Sequence, residues 1–270
     1  MIKDITIGQF FPGSSFVHKL DARTKIILTF IFLIFIFVCK NFWSLGLLCV
    51  FAGVSYSLSR LSPKLAVKSL KPLLPIVLLT TALQLYYIKS GDIIFQWRFI
   101  TITDTGVFTA IFIAVRIFAL LLMSSLLTYT TSPTDLTDAI EKLLSPLRIF
   151  KIDVHTFAMM MTIALRFIPT LIDEIERIMA AQKARGADFE SGNILKRIKA
   201  LVPIFVPLFI SAFKRAIELA DAMSCRCYTG EGRTRLRQMK FTYRDIIASV
   251  VTVAVCGGMI AMNIAFKHLI

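Results

Sequence analysis

Acidic residues are scarce in this chain: 17 Asp and Glu stand against 31 Lys and Arg, a formal charge of +14. Such an excess has two ordinary sources, a nucleic-acid partner or the cytoplasmic loops of a membrane protein, and the placement of the charges separates them. Cysteine is also sparse. Cys39, Cys49, Cys225, Cys227 and Cys256 are an odd, scattered set, which argues against a disulfide framework, and Cys225-x-Cys227 has no second pair to complete a zinc site. No Gly-x-x-x-x-Gly-Lys-Ser/Thr string is present to cradle phosphates, so the chain is not itself a nucleotide hydrolase. No apolar run carries a carboxylate pair, a His pair or a Gly-x-Ser-x-Gly string, which argues against an intramembrane enzyme. His18, His155 and His268 are scattered and read as structural or interfacial. The first twenty residues have no early apolar core, so no signal peptide is expected.

Apolar residues are what the chain has in abundance. Of 270 residues 56% are hydrophobic, with 23 Phe and 10 Met, and the mean hydropathy is +0.74. That is too apolar for an ordinary soluble domain and points to a membrane protein. Residues 8–25 are rich in turn formers and lead to Asp21, an N-cap whose carboxylate can accept free amide protons of a first helical turn. Residues 26–39 form a first span, and residues 42–59 a second, joined to it only by Lys40 and Asn41 in a tight hairpin. Residues 72–88 form a third span with Pro75 near its start. Residues 89–104 read as a loop or a short strand pair, residues 106–129 as a fourth span, and residues 243–266 as a final one. Tyr86, Tyr87 and Trp97 suit the far membrane interface, and Gly257 and Gly258 permit close helix contact in lipid. Arg116 falls inside the fourth span. An intramembrane Arg costs at least about 2.5 kcal/mol on insertion scales; it either bonds carbonyls of a neighbouring helix or serves function.

Between the fourth and final spans the character changes. Residues 134–144 form an amphipathic helix with Leu136, Ile140, Leu143 and Leu144 on one face, started by Ser132-Pro133 and broken by Ser145-Pro146. Two longer helices are expected over residues 153–185 and 194–228. Neither holds a full spanning run: residues 156–165 stop at Arg166, and residues 200–213 are interrupted by Pro203 and Pro207, so both read as buried or interfacial. Met159, Met160 and Met161 give a deformable apolar surface.

The charges can now be placed. With the amino terminus inside, the short cytoplasmic loops carry four cations each (Lys3, Lys19, Arg23, Lys25; then Arg60, Lys64, Lys68, Lys71), whereas outer segments carry one or two (Lys40; Lys89 and Arg98; Lys267). The positive-inside rule gives five spans with the carboxyl terminus outside and residues 131–242 in the cytoplasm. No nucleic acid is needed to explain the charge. The expected fold is an all-α polytopic membrane protein: residues 1–130 with four spans, a cytoplasmic region of about three helices over 131–242, and a last span over 243–270.

The two long cytoplasmic helices end alike. One ends Ala181-Gln182-Lys183-Ala184-Arg185-Gly186, the other Ala222-Met223-Ser224-Cys225-Arg226-Cys227-Tyr228. Small residues narrow each tip, and Arg185 sits where the carbonyl end of the helix dipole favours a cation. Gly186 is placed to be the left-handed stop residue. A guanidinium on a narrow rod suits insertion into a groove that offers a carboxylate or phosphate, and two such prongs suggest two similar sockets on a dimeric or pseudo-dimeric partner.

With these residues assembled, the chain resembles the transmembrane T component of energy-coupling factor transporters, ATP-driven importers of vitamins and metal ions. Residues 8–25, with Pro12-Gly13-Ser14-Ser15 and His18-Lys19-Leu20-Asp21-Ala22-Arg23-Thr24-Lys25, resemble the family's amino-terminal signature. Gln182-x-Ala184-Arg185-Gly186-x-Asp188 resembles its first Ala-Arg-Gly motif, and Ala222-Met223-x-Cys225-Arg226-Cys227-Tyr228 its second. The resemblance covers essentially the whole chain. It implies a non-enzymatic scaffold in the cell membrane, whose two coupling helices dock on two ABC-type ATPase subunits and which holds a small hydrophobic substrate-capture subunit. Docking would then use Ala184, Arg185, Gly186, Asp188, Cys225, Arg226, Cys227 and Tyr228. ATP and magnesium would belong to the ATPase subunits, with no cofactor in this chain. Two departures stand out. Ala22 replaces Pro at a first-turn position. Cys225 and Cys227 replace Ala and Gly, and without Gly a positive-φ backbone at 227 is not expected. The alternative is a self-sufficient secondary transporter or channel, but only Arg116 lies near a midplane and the two halves differ in character.

Overall fold

The computed structural model describes residues 10–88, 90, 92–97, 100–150, 153–187, 189, 194–228 and 240–265. Chain contacts divide the protein into two units, one holding Gly8–Ala139 with Met239–Ile270, the other holding Ile140–Gln238. Apart from one short hairpin, every regular element among the described residues is helical.

The first unit begins with α1, Ala22–Val38, where the Asp21 carboxylate accepts the Arg23 amide proton as the sequence anticipates. Helix α2, Phe42–Leu58, follows after the Lys40-Asn41 turn. Helix α3, Pro63–Leu70, has Pro at its first position, and a single 3-10 turn, Lys71–Leu73, joins it to α4, Leu74–Tyr87. An antiparallel hairpin, β1 Ile93–Trp97 and β2 Ile100–Thr103, has an irregularity between Ile93 and Phe95. Helix α5, Asp104–Thr130, is capped by the Thr103 hydroxyl, which accepts the Gly106 amide proton. The last element of this unit is α9, Tyr243–Ala265.

Period decides the core. Phe32 and Ile36 of α1, Leu45, Leu48 and Ala52 of α2, and Ala119, Met123 and Leu126 of α5 recur every three or four residues, and they bury together with Met259 of α9. The opposite faces stay apolar and exposed, as at Phe30, Phe37, Trp43, Val50, Leu78 and Tyr87, which fits contact with lipid rather than water. Neither glycine of α9 is required by a close approach among the described residues: a methyl at Gly258 would make an ordinary 3.5 Å contact with Leu47 Cδ2, and one at Gly257 would meet nothing within 4 Å.

Polar side chains fasten both ends of this unit. At the α1–α2 turn, Asn263 Nδ2 donates to the Val38 carbonyl at 3.1 Å. Its Oδ1 accepts from the Lys40 amide and the Ser44 hydroxyl, each at 3.2 Å. Arg116 reaches the same turn: Nη2 donates to the Cys39 carbonyl at 2.5 Å, and the guanidinium lies 4.6 Å over the Phe112 ring. The first of the two readings of Arg116, a packed side chain bonding a neighbouring carbonyl, is the one the geometry supports. At the other end, the buried Asp245 carboxylate accepts the amide protons of Asp21 and Thr242, both at 2.8 Å. Lys25 Nζ donates to the carbonyl of Thr130 at 2.8 Å and of His18 at 3.2 Å.

Helix α6, Pro133–Leu144, leads into the second unit, where His155 Nδ1 lies 2.9 Å from Glu141 Oε1. Ile140 and Leu144 on its apolar face remain exposed. Helices α7, Val154–Ala184, and α8, Ile194–Cys225, pack against each other, and Arg215 Nη2 donates to Glu174 Oε2 at 3.4 Å across them.

One expectation is corrected. Five helices are long and apolar enough to cross a membrane: Pro63–Tyr87, Asp104–Thr130, Val154–Ala184, Lys199–Cys225 and Tyr243–Ala265. Two of these are the stretches expected to hold no full spanning run. Counting uninterrupted runs stopped them at Arg166, Pro203 and Pro207, but α7 continues through Pro169 and α8 through both of its prolines, so the apolar length survives. Conversely, the expected first and second spans are helices of 17 residues each, about 26 Å at 1.5 Å per residue, the short end of what a bilayer accepts.

Candidate functional site

The two long helices of the second unit stop by the same device. At the end of α7, Arg185 is the C-cap and Gly186 follows with φ +85°. The Gly186 amide donates to the Lys183 carbonyl and the Ala187 amide to the Gln182 carbonyl, each at 3.0 Å. These two bonds define a Schellman turn, in which one left-handed residue lets the chain reverse and satisfy the last free carbonyls. At the end of α8, Cys227 has φ +55°. Its amide donates to the Ser224 carbonyl at 3.0 Å, and the Tyr228 amide donates to the Met223 carbonyl at 3.1 Å. The register is identical, with Arg226 standing where Arg185 stands.

This corrects the expectation for Cys227. The left-handed backbone is kept without Gly, at a steric cost of roughly 1–2 kcal/mol for a side-chain-bearing residue. Part of what holds it is visible. Tyr228 is half-buried, and its hydroxyl lies 2.7 Å from Met159 Sδ on α7, so the residue after the turn is anchored to the neighbouring helix. Tyr228 therefore acts within this unit, whereas the flanking residues face outward: Ala184, Arg185, Gly186, Cys225, Arg226 and Cys227 are all exposed. A methyl at Gly186 would meet nothing within 4 Å, so its conformation, not a crowded neighbour, calls for glycine there. Asp188 lies outside the described residues.

Neither Arg185 nor Arg226 makes an ion pair or hydrogen bond through its side chain among the described residues. Each guanidinium sits exposed on a narrow tip. Chemically the pair can clamp carboxylates or phosphates on a partner. Among the described residues no cluster of three or more His, Cys, Asp or Glu is arranged to hold a metal.

Sequence reasoning missed the apolar stripe on α8. Val202, Phe205, Val206, Phe209, Phe213 and Ile217 are all more than half exposed, and the Phe209 and Phe213 rings stack at 4.6 Å. The i, i+3, i+4 and i+7 spacing is present in the sequence, but the helix expected over residues 194–228 rests on the length of its apolar run and not on its faces.

The family described as CbiQ, cobalt transport protein, matches residues 13–236. Similar proteins include the energy-coupling factor transporter transmembrane protein EcfT of Ruminiclostridium cellulolyticum, 52% identical over 267 residues, covering 98% of this chain and 100% of the relative. The EcfT of Clostridium kluyveri is 49% identical over 264 residues, 97% of this chain and 98% of the relative. The EcfT of Bacillus subtilis is 46% identical over 257 residues, 94% of this chain and 97% of the relative.

Proposed function

The chain belongs to the CbiQ family and is a multi-pass transmembrane component of an energy-coupling factor transporter, and on that premise we propose that it is the non-catalytic scaffold that carries ATP-driven motion from two ATPase subunits to a substrate-capture subunit. The observation that carries this reading is the matched pair of Schellman ends, each presenting one exposed arginine with no side-chain partner among the described residues. One prong would suit a single regulatory contact; two in the same register suit two equivalent grooves. Ala184, Gly186, Cys225 and Cys227 shape the tips, Tyr228 braces the second, and Asp188 is proposed from the sequence motif alone as a further docking residue. ATP and magnesium would be held by the ATPase subunits.

The exposed apolar stripe of α8 is the surface on which a small hydrophobic capture subunit would pack, since aromatic and aliphatic side chains this exposed are unfavourable in water. The orientation follows from charge. Were α7 and α8 to cross the membrane, their connection would carry Lys183, Arg185, Lys196, Arg197 and Lys199 to the outer side, against the positive-inside rule. We therefore place residues 131–242 on the cytoplasmic side as the coupling region, with residues 1–130 and 243–270 forming the membrane domain, the amino terminus inside and the carboxyl terminus outside.

Co-purification tests the reading. Affinity capture of the full-length chain from its native membrane should recover two ATPase copies and small hydrophobic membrane subunits. Recovery of the chain alone, with uptake by it alone after reconstitution, would instead support a self-sufficient carrier.

A further inference from the structure

The amino-terminal Pro12-Gly13-Ser14-Ser15 string has no part in the coupling tips, yet it is built with care. A methyl at Gly13 would stand 2.8 Å from His18 Cε1, so the imidazole packs directly on the glycine. His18 Nε2 lies 3.0 Å from the Phe11 carbonyl and so carries the proton, leaving Nδ1 to accept from the Ser15 hydroxyl at 2.6 Å. These bonds fix the loop, which faces the corner after α2 across a shared cleft. There Arg60 takes φ +56°, Ser59 is buried with its hydroxyl donating to the Tyr56 carbonyl at 2.5 Å, and the Tyr56 hydroxyl donates to the Ser62 carbonyl at 3.0 Å.

Between loop and corner lies a cleft of about 520 Å³ lined by Gly13, Ser14, Ser15, Arg60, Ser62 and Lys64 among others. Its chemistry is one-sided. Arg60 and Lys64 are exposed, and neither has an ion-pair or hydrogen-bond partner for its side chain among the described residues. Among the described residues the hydroxyls of Ser14 and Ser62 make no hydrogen bond; Ser62 begins α3 without capping it, and since Pro63 has no N–H and the Leu65 amide donates to the Ser62 carbonyl at 2.9 Å, the Lys64 amide is the first-turn donor left open there. Among the described residues no carboxylate lines the cleft, and the sequence has none between Asp21 and Asp92. Two cations, two hydroxyls and one helix-start amide, with no opposing acid among the described residues, are the components of a phosphate site.

What adjoins the cleft decides between a free phosphate and an esterified one. A neighbouring groove shares Ser14, Ser15 and Arg60 with it and is also walled by Phe16 and Leu58. The same Phe16 and Leu58 line a further cavity of about 380 Å³, otherwise largely apolar, with Leu28, Phe51, Met123 and Val251 on its walls. Walls of this kind suit apolar matter. A cationic, hydroxylated mouth beside an apolar chamber has the shape of an anionic amphiphile. We propose that this cleft binds the phosphate headgroup of an anionic membrane lipid, with an acyl chain directed along Phe16 and Leu58. That the leaflet is the cytoplasmic one rests on the orientation argued above; the binding itself does not.

The test uses the full-length chain in nanodiscs of uniform phosphatidylcholine containing a minor fraction of spin-labelled phosphatidylglycerol or spin-labelled phosphatidylcholine. Both leaflets are equivalent, so the outcome is independent of orientation and of any ATPase partner. The unmodified chain should retain the phosphatidylglycerol probe preferentially. Arg60→Gly, which removes the cation while easing a left-handed backbone, should reduce that preference about fivefold, and Arg60→Gly with Lys64→Gln should bring it to that of phosphatidylcholine. Lys68→Gln with Lys71→Gln removes the same charge from outside the cleft and should leave the preference nearly intact. The proposal is overturned if the Lys68/Lys71 variant loses as much, which means diffuse attraction only, or if the Arg60/Lys64 variant loses nothing. Millimolar inorganic phosphate should not release the lipid probe; release by it would make the site one for soluble phosphate and contradict the lipid assignment.

Discussion

Gly186 and Cys227 occupy the same position in the same turn: each is the left-handed residue of a Schellman end, each follows an exposed arginine, and each donates its amide to the carbonyl three residues earlier at 3.0 Å. Their difference in side chain yields a prediction. Gly186→Ala introduces the left-handed penalty with no compensating contact and should destabilise the end of α7 by about 1 kcal/mol. Cys227→Gly should not weaken the end of α8. Hydrogen exchange of peptides ending at residues 187 and 228 reads both: faster exchange at the first, unchanged or slower at the second. Slower exchange in Gly186→Ala would contradict the turn assignment.

The cysteines report topology. Cys225 and Cys227 are exposed, Cys39 and Cys256 buried, and all five are free thiols. A membrane-impermeant thiol reagent should modify Cys225 and Cys227 in inside-out vesicles and neither in intact cells. Modification of either from outside would overturn the orientation proposed for residues 131–242.

Arg116 should prove structural. Its guanidinium ties α5 to the Cys39 carbonyl and covers Phe112. Arg116→Leu forfeits a charge-assisted bond, worth roughly 1.5–3 kcal/mol, so thermal stability in detergent should fall while uptake per folded molecule stays near the unmodified level. Normal stability with lost uptake would contradict this role.

His18 gives the amino-terminal loop a pH dependence. Burial, opposed in part by the Phe11 carbonyl and aided by the Lys25 charge, lowers its pKa below the ordinary 6.5. The unfolded chain therefore binds the proton first. Stability is fully present above pH 6.5 and is lost as pH falls through that value toward the folded-state pKa. Protonation would also remove the acceptor for the Ser15 hydroxyl. The melting temperature should drop more between pH 7 and 5.5 in the unmodified chain than in His18→Gln; equal drops would sink the assignment.

Much of this was legible in the sequence because it is local. Apolar runs and their periods gave α2, α4, α5 and α9, Asp21 gave the start of α1, and Gly186 announced the first turn. Cys227 did not announce the second, because propensity alone speaks against a left-handed cysteine, and the brace that holds it, Tyr228 on Met159, joins residues 69 positions apart. The same holds for Asn263 on the α1–α2 turn and Asp245 on the Asp21 amide, pairs more than 200 positions apart that no spacing rule connects. Pro203 and Pro207 misled in another way: each interrupts an apolar run, so the run reads as too short to span, whereas the helix expected there continues through both and keeps its apolar length.

The coupling claim is tested most directly by the double substitution Arg185→Ala with Arg226→Ala in proteoliposomes containing the ATPase and capture subunits. Because the two turns share one backbone geometry, each single variant should weaken coupling to a similar degree, and Lys should restore it poorly, since an ammonium lacks the planar two-point contact. The double variant should insert normally, with its α7–α8 contacts intact, yet lose ATP-dependent uptake to background. If it binds the ATPases and sustains uptake at the unmodified rate, the two arginine tips are not the coupling elements.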